Sequence, residues 1–373
     1  MKIGCPKETK AQEFRVGLSP AAAHELILHD HEVLIETGAG IGAGFEDADY
    51  EAAGATIAPD AQTVYGDSEM IVKVKEPQEA ERKLLRKGQV LFAYLHLAPD
   101  PEQTRALIDS GVTAIAYETV TDSRGSLPLL APMSEVAGRL APQMGAWAQQ
   151  KANGGRGVLL GGVPGVRPTR VVIIGGGVVG AAAARVAVGM GANVTVMDRS
   201  LPRLSYLDEI FMGTLTTQFS SVASLEEMLP LADLVIGAVL IPGAATPKLV
   251  TRDQLKMMMP GSVLVDVAVD QGGCFETSRV TTHEHPIYEV DEIVHYCVGN
   301  MPGAVPRTAT QALGNATLPF IQALAGKGWR EALKADPHLR AGLAVHDGQV
   351  TAAPVGEAQG LETVTAESLL GID

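Results

Sequence analysis

Short apolar runs recur along the chain, and the stretches between them place apolar residues at helical spacing. The runs 2–4, 32–36, 70–74, 90–94 and 113–116 read as strands. Segments 20–29 and 101–110 read as helices, the first with Ser19 as its N-cap. Strands separated by helices predict a mostly parallel sheet with helices on its faces. A long helix is expected over 135–152, capped by Ser134 and ended by Gly154-Gly155. A second alternating series follows, with strands at 171–174, 193–197, 234–238 and 262–267, and a further helix over 306–325. Near the end, Asp347-Gly348 lies between two alternating segments and predicts a hairpin. A lone hairpin is marginal in water, so it is expected to join the first sheet. The pattern predicts an α/β fold of two Rossmann-like domains with mostly parallel sheets. One domain is discontinuous, residues 1–128 plus 307–373, and the other spans 129–306. The active site is expected in the interdomain cleft.

Composition narrows the function classes. The 373 residues are 46% hydrophobic with a formal net charge of −14, and no run of Lys and Arg interrupts the acidity. Such a surface repels phosphate backbones, so nucleic acid is not an expected partner. Cys5, Cys274 and Cys297 fit neither a zinc site nor a disulfide framework, which suits a reducing, cytoplasmic setting. No His-Glu-x-x-His occurs; His283 and His285, flanking Glu284, read as solvated loop residues, and no metal is expected. Residues 171–197 hold a single charge, Arg185, but their glycines break any membrane-spanning helix. No signal peptide fits the first residues, and no membrane association is expected.

The glycines of that segment have a chemistry of their own. Val171-Val172-Ile173-Ile174 leads directly into Gly175-Gly176-Gly177-Val178-Val179-Gly180 and then into helix-forming alanines. This is G-x-G-x-x-G between a strand and a helix, the context in which it cradles a dinucleotide pyrophosphate. Gly175 permits the tight turn, Gly177 lets the backbone approach the phosphates, and Gly180 lets helix and strand pack closely. The helix N-terminus then offers unpaired N–H groups and a positive dipole end to the phosphates. The second strand ends at Asp198, whose carboxylate suits ribose hydroxyls and repels a 2′-phosphate. NAD is therefore expected over NADP, although Arg199 follows directly.

In doubly wound folds, ligands bind beyond the carboxyl ends of the strands. Lys75, His96 and Asp270 follow such ends, and Arg15 sits in the loop after the first strand. Each also has an ordinary reading: a solvated lysine, a core histidine, a turn aspartate, a surface arginine. Together they suit oxidation of an amino acid. A substrate carboxylate needs a cation, best an Arg. Hydride leaves Cα only from a neutral amine, and the resulting imine must be hydrated, so protons must be shuttled near neutral pH. His titrates there. A developing oxyanion needs a positive group, which Lys supplies.

Several blocks resemble the alanine dehydrogenase family. They are Pro6-Lys7-Glu8 with Glu13-Phe14-Arg15-Val16, Val72-Lys73-Val74-Lys75-Glu76-Pro77, Tyr94-Leu95-His96-Leu97-Ala98, the 265–273 loop, and Gly299-Asn300-Met301-Pro302-Gly303-Ala304. The resemblance runs nearly from end to end. It implies reversible NAD-dependent oxidative deamination of L-alanine to pyruvate and ammonia. It also implies a homo-oligomer, a hexamer, serving amino-acid catabolism. Arg15 and Lys75 would hold substrate, and His96 and Asp270 would form the acid/base pair. Ser134, Asp198, Arg203, Ser220, Val239, Leu240, Val267, Arg279, Val298 and Met301 would line the cofactor site with Gly175, Gly177, Val178, Val179 and Gly180. Gln12 and Phe14 depart from the family's usual polar residues, which puts the fine placement of the Arg15 loop in question. The alternative is the NAD-binding component of a nicotinamide nucleotide transhydrogenase, which shares this architecture. Rivals further off are a saccharopine- or lysine-forming oxidation and a nucleotide sensor that leaves the strand-end cluster idle.

Overall fold

Runs of buried aliphatic residues form the strands of two sheets. The computed structural model describes residues 1–239 and 246–372. The chain divides into two compact units, Met1–Met133 with Val305–Asp373, and Ser134–Ala304. The first unit begins with β1 (Lys2–Cys5), β2 (Glu32–Glu36), β3 (Thr56–Ala58), β4 (Met70–Val72), β5 (Val90–Ala93) and β6 (Thr113–Ala116). The second holds β7 (Arg170–Ile174), β8 (Asn193–Asp198), β9 (Thr216–Phe219), β10 (Leu234–Gly237), β11 (Val263–Asp266), β12 (Ile287–Val290) and β13 (Ile293–Tyr296). The chain then returns to the first sheet with β14 (Leu343–His346) and β15 (Gln349–Val350).

The first sheet runs β15-β14-β6-β5-β4-β1-β2-β3. From β6 to β3 every neighbouring pair is parallel. The hairpin expected at Asp347-Gly348 forms, and β14 pairs antiparallel with β6. β4, β5 and β6 are buried along their whole length, as a parallel sheet covered on both faces requires. Among the helices flanking these strands, Pro20–Leu28 and Pro101–Ser110 start as expected. The Ser19 hydroxyl accepts from the Ala22 N–H at 3.2 Å, and Asp100 caps the second with Pro101 at its first position.

The second sheet runs β12-β13-β11-β10-β7-β8-β9. Its pairs are parallel except β12 with β13. Without β12 this is the 3-2-1-4-5-6 order of dinucleotide-binding folds, with the reversal between β7 and β10. One expectation fails here. Ser134 is not an N-cap: the helix starts a turn earlier and spans Ala131–Ala148. Pro132 suits a first turn, where its missing N–H has no partner to lose. The helix also stops before 152, giving way to a 3-10 turn at Lys151–Asn153. No helix among the described residues is long and apolar enough to cross a membrane.

The strand-end loops of the first unit are fixed by buried charge. Lys73, directly after β4, is fully buried, its Nζ 2.7 Å from Glu81 Oε1 and 3.1 Å from Glu8 Oε2. Glu8 Oε1 also accepts the Val74 N–H at 2.7 Å, and Glu81 Oε2 accepts the Gln78 N–H at 2.7 Å. Burial disfavours the ammonium, but the two carboxylates outweigh it and push Lys73 up to about 12. This triad ties the loop after β1 to the end of β4, next to Lys75. Removing the cation would strand two buried carboxylates. Lys73→Met is therefore expected to cost about 3–5 kcal/mol of stability, measured by chemical denaturation. A loss below about 1 kcal/mol would show that the triad is dispensable.

Candidate active site

In the second unit the expected glycine turn forms at the end of β7. Gly175 has φ +104°, and a Cβ there would stand 2.6 Å from the Ala238 carbonyl oxygen at the end of β10. Gly180 lies in the first turn of the helix Val178–Gly189, and a Cβ on it would meet the Gly175 carbonyl oxygen at 1.8 Å. No side chain larger than hydrogen fits either position. Gly177 is different: a Cβ there would meet no heavy atom within 4 Å. It is the N-cap of that helix and caps it with no side chain. Among the described residues no side chain caps the first N–H groups of the helix, and Gly177 borders open space, which fits an anionic pyrophosphate.

Side chains from the end of β8 and from the helix after it, Leu201–Phe211, brace this turn. Asp198 Oδ2 accepts the Gly176 N–H at 2.6 Å and Oδ1 accepts the Ser200 N–H at 2.8 Å. The Asp198 carbonyl accepts the Ser220 N–H at 2.9 Å, which sets Ser220 beside it. Arg203 donates through Nε to the Gly176 carbonyl and through Nη2 to the Gly177 carbonyl at 3.2 Å, and its guanidinium lies 4.9 Å from the Tyr206 ring centroid. Val239 is adjacent, its Cγ2 2.9 Å from where a Gly175 Cβ would be. A Cβ on Gly138 would meet the Val179 carbonyl oxygen at 2.3 Å, so that face of the helix Ala131–Ala148 packs on the turn. Ser134, four residues earlier, shares the face. Leu240 lies outside the described residues.

A second group gathers at the ends of β11 and β13. Asp266 closes β11, and burial raises its carboxyl above the usual range. It accepts the N–H groups of Ala268 at 3.0 Å, Cys274 at 2.8 Å and Phe275 at 3.4 Å, and the Ser278 hydroxyl. The loop so curled begins with Val267 and presents Asp270 in a 3-10 turn, Val269–Gln271, with its side chain exposed. Asp270 Oδ2 accepts the Asn300 N–H at 2.9 Å, where Asn300 has φ +55°. Val298 bridges to Thr281, Met301 is buried beyond it, and the exposed Arg279 lies 4.2 Å from the Tyr288 ring centroid.

In the first unit, Arg15, Lys75 and His96 follow the carboxyl ends of β1, β4 and β5. Arg15 is no surface charge. It is 2% exposed and doubly bonded to Glu13, Nε to Oε1 and Nη2 to Oε2, both at 2.6 Å. Its Nη1 lies 3.0 Å from the Met133 sulfur. Burial opposes the charge, but Glu13 outweighs it and holds Arg15 above its ordinary value. Lys75 is half-buried at the end of β4. His96 is not a core histidine: its side chain is 47% exposed. Its backbone has φ +49°, a left-handed conformation that costs a residue with a side chain about 1–3 kcal/mol. The ring stacks on Tyr94, centroids 5.9 Å apart and planes 6° apart, and the Tyr94 hydroxyl donates to the Leu129 carbonyl at 2.5 Å. Glu118, after β6, accepts the His96 N–H at 2.6 Å and the Leu95 N–H at 3.2 Å from each oxygen.

The structure thus gathers two groups in the second unit and one set of strand ends in the first. Sequence reasoning passed over Glu13, Tyr94, Glu118, Asp266 and Asn300. A strand was expected at 113–116, so inspecting its carboxyl end as the others were inspected would have found Glu118. Among the described residues no group of three or more His, Cys, Asp and Glu is arranged to hold a metal ion.

The family description "Alanine dehydrogenase/PNT, N-terminal domain" matches residues 4–137, and "Alanine dehydrogenase/PNT, C-terminal domain" matches residues 141–353. An alanine dehydrogenase of Halomonas elongata is 60% identical over 371 residues, covering 100% of both chains. One from Mycobacterium tuberculosis is 52% identical, covering 99% of this chain and 100% of that one. A solved L-alanine dehydrogenase is 54% identical with a TM-score of 0.93, over 96% of this chain and 99% of that one. A transhydrogenase from Sinorhizobium meliloti is 26% identical, with a TM-score of 0.81 over 94% of this chain and 98% of the other. Two parallel α/β units with a glycine turn in one and a strand-end Arg, Lys and His in the other, matched along the whole length, are accounted for together: the chain belongs to the alanine dehydrogenase family.

Proposed function

We propose that the chain catalyses the reversible, NAD-dependent oxidative deamination of L-alanine to pyruvate and ammonia. What supports this reading is the delivery of Arg15, Lys75 and His96 from parallel strand ends of one sheet, in a chain related end to end to alanine dehydrogenases. The same resemblance extends to a homohexamer.

NAD is held by Gly175, Gly177, Val178, Val179 and Gly180 with Asp198, Arg203, Ser220, Val239 and Ser134, and by Val267, Arg279, Val298 and Met301 at the ends of β11 and β13. When bound, its nicotinamide supplies the acceptor for the hydride of Cα. The chain's own residues do the rest. Arg15 binds the substrate carboxylate, with Glu13 balancing part of its charge so that the buried cation is tolerated when the site is empty. Lys75 steadies the oxygen that develops on the carbon skeleton as water adds to the imine. His96 and Asp270 share the proton transfers: removing a proton from the substrate ammonium, taking one from the attacking water, and returning one to the departing ammonia. The exposed imidazole and the exposed carboxylate are both accessible to solvent protons.

The transhydrogenase reading is favoured by the Sinorhizobium meliloti structure, at lower identity than the alanine dehydrogenases. One assay separates the two. Protein, NAD and single amino acids are mixed, and reduced nicotinamide absorbance is followed. Alanine-dependent reduction is expected; hydride exchange between two nucleotides, with no response to alanine, would overturn the proposal. His96→Ala and Asp270→Ala should each lower kcat by about 10²–10⁴-fold while NAD still binds. Near-normal turnover in either variant removes that residue from the mechanism. Asp198→Gly should weaken NAD relative to NADP by about tenfold or more, read from the two dissociation constants; an unchanged ratio would refute the ribose contact.

A further inference from the structure

Acid/base catalysis at the end of β5 depends on where the His96 ring stands, and the ring's place follows from its backbone. His96 has the left-handed φ of +49°. Histidine adopts that region far less readily than glycine, so the surroundings must hold it there. Three contacts do so. The His96 N–H donates to Glu118 Oε1 at 2.6 Å, and the preceding Leu95 N–H is 3.2 Å from both Glu118 oxygens. Two successive N–H groups thus converge on one carboxylate, a small concave site for an anion that the protein fills with its own side chain. The ring stacks flat on Tyr94, itself anchored by its hydroxyl to the Leu129 carbonyl. His96 Nδ1 stands 3.9 Å from Glu118 Oε1, which leaves Nε2 as the ring nitrogen on the far side from the carboxylate. Glu118 arrives from the end of β6, the parallel neighbour of β5, so the clamp joins two adjacent strand ends.

We infer that Glu118 is the positioning residue for His96: its carboxylate pins the two N–H groups that define the left-handed turn and thereby fixes the imidazole as the proton carrier at the end of β5. This rests on the proposed role of His96. It assigns Glu118 no contact with substrate or nucleotide. It also makes the effect of Glu118 entirely dependent on the ring it positions.

The test is a double-mutant cycle of Glu118→Ala and His96→Ala, with Glu118→Gln alongside, in the full-length enzyme with alanine and NAD. Glu118→Ala should lower kcat by about 10²-fold, the scale of a misplaced catalytic group, with NAD affinity unchanged. Glu118→Gln keeps an oxygen acceptor for the His96 N–H and should recover most of the loss; it is the deciding variant should Glu118→Ala not fold. In the His96→Ala background, Glu118→Ala should change kcat by less than about twofold, because the group it positions is gone. Fully additive losses, or Glu118→Ala at wild-type kcat, would overturn the inference while leaving the alanine dehydrogenase reading standing. Wild-type kcat in His96→Ala alone would remove the proton carrier, and the inference with it. Glu118→Gln as slow as Glu118→Ala would also overturn it, since the acceptor oxygen would then not be what matters.

Discussion

Parallel pairing is the constraint on which the rest depends. When β1, β4, β5 and β6 run the same way, their carboxyl ends fall along one edge of the sheet, and so do the loops that leave them. Arg15, Lys75, His96 and Glu118 occupy those loops although the first and last lie 103 positions apart in the chain. The second sheet repeats the arrangement: the ends of β7, β8, β10, β11 and β13 lead to the glycine turn, Asp198, Val239, Asp270 and Val298. A parallel sheet must be covered on both faces to exist in water, so these edges are where polar groups can meet a ligand. The hydrophobic pattern that buries the strands therefore also decides where chemistry can occur.

Acidic side chains turn the flexible loops at those edges into fixed ones. Glu8 and Glu81 hold Lys73, Glu13 holds Arg15, and Glu118 holds the Leu95 and His96 amides. Asp198 holds Gly176, and Asp266 gathers donors from the loop that follows it. A carboxylate accepts several hydrogen bonds at once and bonds most strongly when charged. One such group can thus replace the continuous backbone ladder that a loop lacks. Arg15, Lys75, His96 and Asp270 each have such a support on the residue itself or within four positions of it.

Much of this was legible in the sequence, for reasons that differ by element. β7 and its glycine turn announce themselves because a buried strand is a continuous apolar run and the turn admits only glycine where a Cβ would collide. β5 and β6 are equally clear, being buried throughout. β3, β9, β12 and β13 were not expected; the first three are short or carry Thr, Gln and Glu and lie at a sheet edge, where the alternation fades, and β13 is a buried four-residue run interrupted by His295. Asp198 was found because its place after the second strand is set by the fold. Yet its turn inward to Gly176 depends on a contact across twenty-two residues. The pairing of Glu13 with Arg15 was close in sequence and still unread, because surface and buried arginines look alike until burial is known. Glu118 stands two residues past the expected strand 113–116 and was legible by its place; what it holds was not, because a backbone amide on another strand end leaves no mark in either segment. Ser134 misled because Ser before an apolar stretch is a common helix start, and Pro132 already filled that place.

The steric closure at Gly180 has a consequence for how this enzyme can change. With a carbonyl oxygen 1.8 Å from any added carbon, Gly180 accepts no other residue, whereas Gly177 in the same turn has room for one. Sequence change around the turn is therefore left to Gly177 and to the side chains at the end of β8 and beyond it, where Asp198, Arg199 and Arg203 stand. On the function proposed above, nucleotide preference would be written at that edge and not at Gly180.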